Sequence, residues 1–178
     1  GFERRRDAMH QLALRWNFWK AFSVFQEARV GEKGAESDFL SGRNFLIKSI
    51  QIQPKLTYQP SPELKASVLG QYTDKKNILA FEKAIVLRAG AECNWNIPEK
   101  GSVRAEANFY RIDFNGVTTS SLAFEMLEGL QPGFNYTWQL AWQRNVAENI
   151  QLNIQYNGRK PQDIPVIHSG SVQVRAVF

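Results

Sequence analysis

From Ile85 to Ile97 every second residue is apolar or small. Ile85, Leu87, Ala89, Ala91, Cys93, Trp95 and Ile97 are interleaved with Arg88, Gly90, Glu92, Asn94 and Asn96. Successive side chains of a β-strand point to opposite faces, so a period of two makes one greasy face and one polar face. The pattern recurs along the chain. Leu12, Leu14, Trp16 and Phe18 alternate with Gln11, Ala13, Arg15 and Asn17; Ile50, Ile52, Leu56 and Tyr58 alternate with Gln51, Gln53, Lys55 and Thr57. Near the other end, Tyr136, Trp138, Leu140 and Trp142 alternate with Asn135, Thr137, Gln139 and Gln143. Helical spacing is nearly absent. Antiparallel, all-β architecture is what such a chain can build.

Turn-to-turn reading gives about nine strands in one unit spanning residues 1–178. A second strand covers about Phe22–Lys33 and a third about Phe45–Gln59, where Pro54 argues for a bulge or a weakened ladder. Links near 19–21, 60–63, 98–101 and 146–148 are short. Those near 34–44, 74–83, 116–133 and 158–168 are longer and polar or rich in Gly and Pro. Short and long alternate strictly when the stretch 118–130 is a loop excursion. Promoting Ser121–Leu130 to a tenth strand, with Leu122, Phe124 and Met126 on one face, breaks that sorting.

Aromatic residues sort by height as well. Trp16, Phe18, Tyr58, Trp95, Trp142 and Phe178 fall on the apolar face at the short-turn end of their strands. Tyr72, Tyr136 and Tyr156 lie on the same face toward the other end. Two aromatic girdles on an outward apolar face, with short turns on one side and longer loops on the other, describe a transmembrane β-barrel. Closing the backbone hydrogen bonds into a ring is what allows strands to exist in hydrocarbon.

Composition excludes several other classes. No run approaches the ~18 apolar residues of a membrane-spanning helix. Cys93 is the single cysteine, so no intrachain disulfide and no cysteine metal cage can form. The net charge is +5, but apart from Arg4–Arg6 the cations are dispersed, which argues against a nucleic-acid stripe. Two histidines, His10 and His168, and the absence of a Gly-x-Ser-x-Gly elbow leave no catalytic constellation. No enzyme activity and no cofactor are expected.

The polar faces carry the remaining candidates. If the fifth and sixth strands pair through the turn at 98–101, Glu92, Arg104 and Glu106 cluster, with Arg88 on the same face. These would be lumen charges, acting as struts or as a selective constriction. Gln139, Gln143, Gln151, Asn153 and Gln155 form an amide-rich patch suited to a wet lumen or a plug. The rival architecture is a soluble lipid- or ligand-binding β-barrel or sandwich, with the apolar face turned inward and Ala89, Ala91, Ala105 and Ala107 making room for a ligand.

The last strand places Val172, Val174, Ala176 and Phe178 on one face. It resembles the closing strand of bacterial outer-membrane barrels, the signal read by the barrel-assembly machinery. The segments Gln151–Lys160, Ile167–Phe178, Leu130–Trp138 and Gly1–Arg6 resemble the ends of large uncharacterised outer-membrane proteins of Bacteroidota. That resemblance implies a barrel fold, an outer-membrane location, a longer parent chain, and partners among membrane lipid and other outer-membrane or surface proteins. It leaves open surface export, gliding and nutrient uptake. Nine strands put the two chain ends on opposite sides, whereas bacterial single-chain barrels have an even number. The expectation is therefore the carboxy-terminal part of a larger barrel, with Gly1–Met9 the tail of a loop.

Overall fold

The computed structural model of the chain describes residues 2–39, 44–147 and 149–176. The elements are β1 Glu3–Trp19, β2 Phe22–Ser37, β3 Phe45–Tyr58, β4 Leu64–Asn77, β5 Lys83–Ile97, β6 Gly101–Asn115, α1 Ser121–Leu127, β7 Gly133–Ala147, β8 Ile150–Pro161 and β9 Ile167–Ala176. The strands form one up-and-down sheet in chain order, with every neighbouring pair antiparallel. Among the described residues, β1 pairs only with β2 and β9 only with β8.

Pairing extends past the apolar stretches. Glu3 faces Ser37 and Arg6 faces Gly34, so residues 3–9 are strand, not the tail of a loop. A ladder needs only backbone groups, and polar side chains ride on it without cost once they clear the apolar belt. The longer strands shorten the loops. Ile78–Glu82 and Gln162–Val166 are no longer than the opposite link Gln59–Glu63, so the expected strict alternation of link length does not hold. Only the stretch 116–132 is much longer than the rest. At Pro54 the register with β2 is unbroken, while on the β4 side the pairing skips Gln53 and Pro54, so the ladder is weakened without a bulge.

The strands are staggered. One row of facing residues runs Phe22, Tyr58, Ala66, Cys93, Ala105, Leu140, Tyr156. Phe22 is the first residue of β2, and Tyr156 lies six positions inside β8, six strands later. A shift of about one ~3.3 Å residue per ~4.8 Å strand spacing inclines the strands by about 35°. That is the shear of a sheet curled like a barrel wall.

The region 118–130 is neither strand nor open loop. Ser120 caps α1, its Oγ accepting from the Ala123 N–H at 3.0 Å. Glu128, in the left-handed region, ends the helix, and the Gly129 N–H returns to the Phe124 carbonyl. Ala123, Met126 and Leu127 are buried against Ile47, Ala84, Val86 and Ile112, which stand on the polar face of the sheet near the long-loop end. Nine strands and an inward-folded helix replace the ten-strand alternative.

Candidate functional site: the two faces of the sheet

The apolar face is the uncovered one. The edge strands β1 and β9 are exposed on both faces, but on strands paired on both sides Ile50 is 54% exposed, Val68 54% and Trp95 51%. On the opposite face Thr73 is 2% exposed, Ser67 4% and Asn135 1%. Within β3 the inversion runs residue by residue: Ile50, Ile52, Leu56 and Tyr58 are exposed, while Gln51, Gln53, Lys55 and Thr57 are partly or fully covered. Curvature brings side chains on a concave face together and spreads those on the convex face, and here the polar residues took the concave side.

The aromatic residues expected to form a girdle stand on the apolar face at the short-turn end. Rings of Trp16, Phe18, Phe22 and Tyr58 form a chain with centroid separations of 5.8, 6.0 and 4.7 Å. Phe22 was not among the expected members, although its place at the start of β2 put it at the right height. Trp95 and Trp142 share one row, each facing Val103. Val172, Val174 and Ala176 face Ile154, Leu152 and Ile150 and so join the apolar face. Phe178 lies outside the described residues. Toward the other end, Phe109 stacks on Phe134 and tilts against Tyr136, and Tyr156 donates to or accepts from His168 Nδ1 at 2.8 Å.

On the concave face the four expected lumen charges lie close together but divide between partners. Glu106 collects Arg88 at 3.3 Å, Arg104 at 3.9 Å and the Asn108 amide at 2.9 Å. Arg88 Nε also donates to Asn108 Oδ1 at 2.8 Å. Glu92, directly opposite Glu106, is held instead by Lys55 at 2.7 Å. Two carboxylates facing each other repel; the cations on either side relieve this. Lys55 was not readable as a partner from the sequence because it reaches across β4 from a strand two positions away, whereas Asn108 sits two residues from Glu106 on the same face of β6. Thr57 and Ser67 hydroxyls pair at 3.0 Å, and Arg29 pairs with Glu27. Among the described residues no group of three metal-ligating side chains occurs.

Helix α1 covers the long-loop end of this polar face. Lys75 Nζ donates to the Met126 carbonyl at 2.9 Å and to Glu128 at 2.6 Å, and Lys33 pairs with Glu125. Both lysines alternate with outward residues on their strands and point to the concave side. Apolar burial plus these anchors holds the segment down. No protein-family model matches the chain, and no curated protein sequence matches it.

Proposed function

We propose that this sheet is part of the wall of a transmembrane β-barrel in a bacterial outer membrane. The apolar face meets lipid, the polar face lines a lumen, and α1 narrows that lumen from the long-loop end. The observation that carries this reading is the inversion of burial: large apolar side chains are uncovered while serines, threonines and asparagines are covered. A water-soluble sheet would expose its polar face, since burying apolar surface drives its folding. The strand tilt and the aromatic girdle support the same reading.

The odd strand number bears on closure. With nine antiparallel strands, β1 and β9 run in the same direction. An odd number of further strands between them restores antiparallel pairing all round, as expected of a larger barrel. The role is pore wall and scaffold, for transport or for assembly of a surface complex, after insertion by the barrel-assembly machinery. Membrane fractionation of the full-length native protein, followed by gel electrophoresis with and without boiling, tests this. Recovery in the outer membrane with a mobility shift on boiling is expected. A compact species in the soluble fraction overturns it and turns the apolar face into a core.

A further inference from the structure

Above the apolar belt the convex face changes character, and it does so at one end only. The row after His10, Val30 and Ile50 reads Ala8, Glu32, Lys48, Lys76, Lys83, Asn115 across β1 to β6. Lys48, Lys76 and Lys83 therefore stand side by side on three adjacent strands, all on the apolar face. Facing residues in a sheet are only ~5 Å apart at Cβ, and like charges at that spacing are unfavourable. Their acidic neighbours do not cancel them: Glu32 is 3.8 Å from Lys48 and is shared with Arg6 at 3.3 Å, while Asp74 is shared between Lys76 at 3.8 Å and Lys83 at 3.6 Å. One residue pair further out, Arg4 and Arg6 flank an opening of about 230 Å³ that Leu46 and Leu79 also line. At the short-turn end, Arg144 is the one described charged strand residue on this face, and rings dominate there.

We propose that the row Lys48, Lys76, Lys83, with Arg6 beside it, seats the phosphates of lipid headgroups in the leaflet on the long-loop side. The inference rests on the membrane reading. Its own support is that the cations share a face with the apolar belt and stand one row beyond Val30, Ile50 and Ile85, a row in which Asp74 and Asp113 are the carboxylates, Asp113 being paired with Arg111. A lipid whose chains lie on Val30, Ile50 and Ile85 carries its phosphate to this height. Solvating loops have no need of three adjacent lysines, whereas an anionic headgroup layer supplies the missing counter-charge.

Full-length protein purified in detergent, incubated with phosphatidylglycerol or with phosphatidylcholine, and washed, is measured for retained lipid by native mass spectrometry. Wild type is expected to retain phosphatidylglycerol preferentially. The variant Lys48→Gln, Lys76→Gln, Lys83→Gln is expected to retain about a hundredfold less, because each lysine at an anionic surface contributes a factor of about five. Lys20→Gln with Lys100→Gln, at the short-turn end, is the control and should match wild type. If the triple variant fails to assemble, Glu32→Gln with Asp74→Asn decides the question by raising retention. Equal retention across these variants overturns the proposal. So does complete displacement of the lipid by millimolar inorganic phosphate, which would mark a free-anion site. A boiling-dependent mobility shift on the same samples separates this failure from failure of the barrel reading itself.

Discussion

Gly158 lies beneath the indole of Trp138. The two residues face each other across β7 and β8, and a Cβ at Gly158 would run into the ring at Cε2, Cζ2 and Nε1. The absent side chain is the seat of the tryptophan on the apolar face. Replacing Gly158 by Ala should force the ring away and lower stability by about 1–3 kcal/mol, the usual cost of overpacking. Gly70, where a Cβ would meet only the Pro54 ring at 3.8 Å, should accept Ala with little change. The temperature at which the boiling-dependent band shift occurs, compared for the two variants, checks this. Equal shifts would mean that the ring is not held there.

The two faces should differ in tolerance to charge. Arg at Ala91, midway along the apolar face of β5, is expected to cost about 2–4 kcal/mol in a bilayer. Arg at Trp95 or Trp142, nearer the short-turn interface, should impair assembly less severely but measurably. Asn153→Ala, on the polar face, should be nearly neutral. Yield of the heat-modifiable form in membranes reads all four, and equal tolerance on both faces would reverse the orientation.

Glu106 anchors two arginines and an asparagine at once. Glu106→Gln removes one negative charge and leaves Arg88 and Arg104 without a counter-ion, while Gln can still bond to Asn108. The protein should still assemble. In planar bilayers the reversal potential of the full-length protein under a salt gradient should move toward anion preference. An unchanged potential would place these groups away from the conducting path.

Helix α1 is held by burial of Met126 and Ala123, both 0% exposed. Met126→Asp puts an unpaired carboxylate into an apolar contact and should release the segment at a cost of several kcal/mol. Conductance should rise, and protease should cut within residues 116–132 in the variant but not in wild type. The mobility shift should survive, since the sheet ladder does not depend on the helix. Unchanged conductance together with new cleavage would show that the segment does not narrow the lumen.

Much of this was legible from residue order. The alternation from Ile85 to Ile97 assigns every side chain of β5 to a face, because the period of a strand is a local property of the backbone. The same count puts Trp16, Phe18, Tyr58, Trp95 and Trp142 on the apolar face near the short-turn ends of their strands. Helix α1 was harder. Leu122, Phe124 and Met126 satisfy a period of two, while Leu122, Met126 and Leu130 with Ala123 and Leu127 satisfy a helical one. In so short a segment the two periods compete, and Ser120 as a cap was the signal that separates them. The loop lengths were misjudged because strands were ended where apolar residues stop, whereas the ladder continues through Arg4–Arg6 and Gly34–Ser37.

The amino-acid order by itself determined that the chain is an antiparallel sheet of about nine strands with one apolar and one polar face. Alternation is symmetric, however, and fits a sheet with its greasy side in or out equally well. Only the tertiary structure shows which face this chain covers: on β3, β4 and β5 the polar face is the covered one and the apolar face is exposed. It also decided that Glu92 is held by Lys55 rather than by Arg104, and that residues 121–127 fold back over the polar face. Those contacts join residues far apart in sequence, and the geometry that brings them within reach is set by the register of every strand between them.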